Sequence, residues 1–221
     1  MNQDWRCRLA RALSSEELHD EGVEAARNAC VAGASIAAAA ITAAAFYDNP
    51  LTGGPALRAL MERLAQLPLE RDVWRKALAG APHPETSDEG FTPGFGYVSA
   101  AEATAIVGAL RRLLVPWQRA SRSRSAFFLA YHAAITQVSG PLNVAGLCAL
   151  FFLDHEVSLD EAETLFLVLR LEPALREAQR ARKAGIAALP FYEHPYSYEG
   201  TAPAIRTHDV ERLMKEVGLA G

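Results

Sequence analysis

In Thr92-Pro93-Gly94-Phe95-Gly96-Tyr97, two glycines flank an aromatic residue just ahead of a helix start at Ser99. Glycine has no Cβ, so backbone N–H groups can come close to a ligand there, near the positive end of the helix that follows. Tyr97 closes the turn. The same residues also read as a plain connector, because a glycine-rich turn carries no reaction by itself. Elsewhere, His19, His83, His132 and His208 stand isolated, with no metal-ligand spacing among themselves or with cysteine, so they read as surface or ordinary packed residues and no metal site is expected. The chain has no Gly-x-Ser-x-Gly elbow, Walker loop or dinucleotide fingerprint.

The elements that must position this turn read as helices almost throughout. Ser14 and Glu17 have capping-box spacing and predict a helix through about Arg27. An alanine-rich helix is expected from Cys30 to Tyr47, stopping at Asp48-Asn49-Pro50. After Thr52-Gly53-Gly54-Pro55, the spacing of Leu57, Leu60, Met61 and Leu64 marks the buried face of another helix, and a short one follows over Glu70 to Leu78. Gly80 to Gly96 is the longest irregular stretch, and long loops in compact domains tend to be functional or mobile.

A second capping box, Ser99 with Glu102, opens a helix to about Leu114, ended by Pro116. Arg119 to Arg124 reads as a basic turn, Ser125 to Val138 as one helix, and Gly140-Pro141 as its break. Leu142 to Leu153 is apolar all round and should be buried, with Asp154, His155 and Glu156 forming a solvated helix end. Ser158 with Glu161 opens Leu159 to Leu171, and Pro173 is expected to begin a separate arginine-rich helix over Ala174 to Ala184. An irregular aromatic segment, Pro190 to Gly200, precedes a last amphipathic helix over Asp209 to Val217. No convincing alternating strand is present, so the fold class is all-α.

Half of the 221 residues are apolar, enough to bury a substantial core as one large domain or two unequal ones. A net charge of −4, with basic residues scattered along helices, gives no footprint for nucleic acid. Cys7, Cys30 and Cys148 are odd in number and far apart, which suggests neither disulfides nor zinc and fits a reducing cytoplasm. Cys30 to Tyr47 is the one stretch that could pass for a membrane span. It is alanine-built, falls slightly short of the roughly 20 residues a span needs, and follows a mostly polar start, so neither a membrane segment nor a signal peptide is expected.

Taken together, Gly94-Phe95-Gly96-Tyr97, Asn143-Val144-Ala145-Gly146 and the segment Arg170 to Gly200 resemble the citrate synthase superfamily. The likeness is greatest to its short citryl-CoA lyase branch and to the lyase domain of ATP-citrate lyase. The pieces are collinear along nearly the whole chain and include a Gly-Gly turn after an alanine-rich helix, here Gly53-Gly54. The resemblance implies a single citrate synthase-like unit over 1–221, with a small helical domain at about 54–140 and a large domain for the remainder. It also implies a dimer, of two copies or with a paralogue, and a cleft for a coenzyme A (CoA) thioester and a polycarboxylate. Gly94, Phe95 and Gly96 would contact CoA through their backbone. Gly53, Gly54, Asn143, Ala145 and His194 would fall around the acid substrate, and Arg170 would match the arginine that begins the family's late cleft helix, holding a carboxylate.

The sequence departs from the family's pattern where acid/base chemistry is done. Tyr97 stands where the family has a histidine, Leu51 and Thr52 stand around a second histidine position, and Ala145 stands where an aspartate moves the proton of the acetyl methyl group. The family's Asp-Pro-Arg after the glycine turn is also missing, Ser99-Ala100-Ala101-Glu102 occupying that region. A neutral phenol can still donate a hydrogen bond at neutral pH. Alanine accepts no proton, and a general base is typically worth about 10²- to 10⁴-fold. Asp154 to Glu156 would lie roughly 13 to 17 Å along a continuous helix from Ala145, too far to substitute. Two expectations follow: an enzyme with rearranged groups, using Tyr97 as donor and Arg170 as clamp, or a non-catalytic homologue that binds acyl-CoA or pairs with an active paralogue.

Overall fold

Ala145 to Phe152 carries no strongly polar side chain, and each of these residues is buried in one helix, α9 (Val144–Asp154), around which the rest is arranged. A helix apolar on every face is stable only when covered on every face. The computed structural model describes residues 4–14, 21–79, 81–82, 90–96, 98–114 and 123–185, which belong to one unit spanning Met1–Leu189. Ahead of α9 come α1 (Asp4–Leu13), α2 (Glu21–Val31), α3 (Ile36–Tyr47), α4 (Gly54–Ala65), α5 (Arg71–Leu78), α6 (Ala100–Leu114), α7 (Arg124–Ala130) and α8 (His132–Ser139), and after it α10 (Leu159–Ala184). The only ladder among the described residues is a two-residue antiparallel pair, β1 (Ala81–Pro82) with β2 (Gly90–Phe91). The all-α class therefore holds.

Packing follows from which faces are apolar. α4, with Leu57, Leu60, Met61 and Leu64 all buried, packs on α9, and so does α7. α10 runs along α2, α3 and α4. Arg58 ties α4 to the start of α10 through Asp160 (2.9 Å) and Glu163 (2.8 Å). No helix among the described residues is long and apolar enough to cross a membrane.

Three local expectations are corrected, and one unexpected helix, α1, precedes Ser14, whose hydroxyl donates back to the Ala10 carbonyl at 2.8 Å. Residues 15–20, where the helix opened by Ser14 is expected to begin, lie outside the described residues, and α2 starts at Glu21. The alanine stretch is two helices. Gly33 turns with φ +90°, the Ala34 N–H bonds back to Ala29, and Ser35 caps α3 by accepting from the Ala38 N–H. The stretch 125–138 splits at Tyr131, whose N–H is shared between the Phe127 and Phe128 carbonyls, so that α7 packs on α9 and α8 on α5. Finally, α10 is continuous through Pro173. The missing N–H costs one hydrogen bond, and the buried Phe166, Arg170, Ala174 and Ala178 hold both halves on one face.

Candidate functional site

The glycine turn is built onto the N-terminal end of α9. Asn143 caps that helix, its side-chain oxygen accepting from the Gly146 N–H at 3.0 Å, and its own N–H donates to the Gly94 carbonyl at 3.1 Å. Phe95 pairs with Leu142 in an isolated antiparallel bridge, and the Gly96 N–H donates to the Pro141 carbonyl at 2.6 Å. The Asn143 amide reaches the Leu51 carbonyl at 3.5 Å, which brings the start of the Gly53-Gly54 turn to the same point. Three motifs far apart in the chain thus meet: Leu51 to Gly54, Gly94 to Gly96, and Asn143 to Gly146.

Close backbone approach explains most of these glycines. A Cβ on Gly94, whose φ is +79°, would stand 2.5 Å from Leu60 Cδ2 and 3.0 Å from Gly146 Cα. One on Gly146 would stand 2.1 Å from the Gly94 oxygen, and one on Gly53 2.2 Å from the Tyr47 oxygen, whereas Gly54 is less tightly held. Gly96 differs: it is partly exposed, has φ +77°, and among the described residues has nothing within 4 Å of where a Cβ would be. The Phe95 and Gly96 N–H groups both donate inside the protein, Phe95 to Thr92 at 3.0 Å. Phe95 is core, 1% exposed and packed on Phe128.

The acid/base candidates are placed as follows. Ala145 is fully buried in α9. Arg170 is fully buried in α10, donates to the Leu13 carbonyl at the end of α1 at 3.0 Å, and lies 5.9 Å from the Tyr47 ring. Its cation acts on the last turn of α1, where carbonyls lack helical partners and the dipole favours positive charge. Tyr97 and His194 lie outside the described residues, as do the segments 190–200 and 209–217. Asp154 is not a solvated end: its carboxylate accepts from the Arg124 N–H (2.6 Å), the Ser125 N–H (3.1 Å) and the Ser123 hydroxyl (2.7 Å), anchoring the start of α7. His155 stacks on Trp5 at 4.7 Å.

A cavity of about 530 Å³ between α6 and α8 begins where the glycine turn ends, at Pro141, whose carbonyl receives the Gly96 N–H. Val107, Gly108 and Arg111 line it from α6, and His132 and Thr136 from α8. Burial and the nearby Arg111 cation push the His132 pKa below the usual histidine range. In the sequence His132 stands as an isolated histidine and nothing marks Arg111, because the spacing within one helix does not encode its approach to another. Among the described residues, no group of histidine, cysteine and carboxylate side chains could hold a metal ion. No family model, curated protein or solved structure matches the chain.

Proposed function

We propose that this chain is a citrate synthase-like protein that binds a CoA thioester without carrying out carbon–carbon bond cleavage or formation. The observation that supports the reading is that two of the three motifs carrying the resemblance, at Gly94 to Gly96 and Asn143 to Gly146, meet at the head of one buried helix together with the start of the Gly53-Gly54 turn. The thioester would enter beside Gly96, where a Cβ would meet none of the described residues.

The loss of chemistry follows from what stands at the acid/base positions. Ala145 has no acceptor and no exposed surface. The nearest carboxylate along the same helix, Asp154, serves the start of α7. Without a general base, about 10²- to 10⁴-fold of rate is forfeited. An active enzyme would use Tyr97 as hydrogen-bond donor and Arg170 on the polycarboxylate, and the bond from Arg170 to the Leu13 carbonyl favours the binding role instead.

The partners in this reading are an acyl-CoA, a polycarboxylate and a second chain, either another copy or an active paralogue. The exposed side chains Ile41, Phe46, Leu167 and Val168 offer apolar surface that pairing would cover. Three cysteines outside any disulfide accord with a reducing cytoplasm. The test is a calorimetric titration with acetyl-CoA: saturable binding that Gly96→Val weakens supports the reading, and the absence of heat and of any thermal shift contradicts it.

A further inference from the structure

We propose that the groove between α6 and α8 is a binding site for an aliphatic monocarboxylate, with Arg111 and His132 holding the carboxylate and Val107 and Gly108 facing the chain. This goes beyond the CoA reading and does not rest on it.

The volume, about 530 Å³, is in the range of small-molecule sites, which are mostly apolar with a few convergent polar groups. Here one cation and one neutral imidazole line the same groove. Arg111 and His132 approach across the groove from different helices, and among the described residues Arg111 has no carboxylate partner. A single guanidinium presents a planar fork that matches one carboxylate in bidentate fashion, and a neutral imidazole adds one N–H donor. One cation and one neutral donor suit a monoanion better than a phosphate cluster.

The wall beside them is opened by a glycine. Gly108 sits inside α6, where glycine is a poorer helix former than alanine. Packing does not demand it there. A Cβ at Gly108 would meet only Arg112 Nη1, at 3.6 Å, an ordinary contact. Its absence leaves open space beside Val107 on the groove wall, apolar surface against which an aliphatic chain can lie.

The experiment is calorimetric titration of the full chain with octanoate and, separately, with octanol. Octanoate should bind, with octanol about tenfold or more weaker, as expected for loss of a charge-assisted pair. Arg111→Gln should weaken octanoate by about tenfold, and Gly108→Leu, which fills the groove and keeps both Arg111 and His132, should abolish binding, both with unchanged circular dichroism. No binding of octanoate, equal binding of octanol, or wild-type affinity in Arg111→Gln would overturn the proposal. The titrations contain no CoA, so failure here leaves the CoA reading standing, and failure of the acetyl-CoA titration leaves this one standing.

Discussion

Gly146 lies so close beneath Gly94 that a Cβ on it would stand 2.1 Å from the Gly94 carbonyl oxygen. This contact seats the glycine turn on α9 and keeps both backbones at a distance no side chain permits. Gly146→Ala must push the turn away or distort the first turn of α9. Overpacking of this kind costs roughly 1–3 kcal/mol, and backbone on the far side puts the expected loss at the upper end. Urea denaturation should give a lower midpoint with an unchanged slope.

Arg170 separates a structural from a ligand-binding role. Its hydrogen bond to the Leu13 carbonyl closes the end of α1 inside the protein. Arg170→Met keeps the bulk and removes the donor, leaving a buried carbonyl without that partner at a cost of about 1–3 kcal/mol. The melting temperature measured without any ligand should fall. An unaltered melting temperature combined with lost citrate binding would make Arg170 a carboxylate clamp instead.

The cysteines should react unequally. Cys7 is exposed on α1, while Cys148 is fully buried in α9, where burial pushes its thiol up to about 12 against the opposing pull of the Arg170 cation. The thiolate is the nucleophile. Iodoacetamide at pH 8 should label Cys7 within minutes and leave Cys148 and the buried Cys30 intact until denaturant is added, as peptide mass spectrometry would show.

His132 and His155 give the stability a pH dependence of definite sign. Burial lowers both pKa values, helped by Arg111 at His132; at His155 Arg8 also lowers it while Asp154 opposes. The unfolded chain therefore takes up protons first, near pH 6.5, and the folded chain only at lower pH. Their contribution is fully present above about pH 7 and is lost as pH falls through the folded values. Thermal unfolding from pH 7.5 to 5.5 should show a steeper decline for the natural chain than for a His132→Gln, His155→Gln double variant.

Local signals were legible where a few adjacent residues decide the structure. Ser99 and Glu102 form the reciprocal capping box, the Glu102 N–H donating to the Ser99 hydroxyl and the Ser99 N–H to the Glu102 carboxylate. Ser158 caps α10 as expected, but the Glu161 side chain turns to Arg6 at 2.5 Å. Glycine spacing located the turn at Gly94 to Gly96 but gave no sign that its N–H groups would be taken up by Thr92 and Pro141. What stayed hidden depended on tertiary partners. Asp154 looked like a solvent-facing helix end because Ser123 and the N–H groups of Arg124 and Ser125 come to it from a distant helix. Pro173 looked like a helix start because the packing that carries α10 through it lies on α2, α3 and α4. The groove pairs Arg111 with His132 across two helices, a proximity no spacing within either one encodes.

The central claim is tested most directly by mixing the pure chain with citryl-CoA and following acetyl-CoA and free CoA over hours, with binding of the same thioester measured in parallel. Saturable binding is expected, with no product above the uncatalysed rate. Steady turnover, particularly if abolished by Tyr97→Phe, would contradict it.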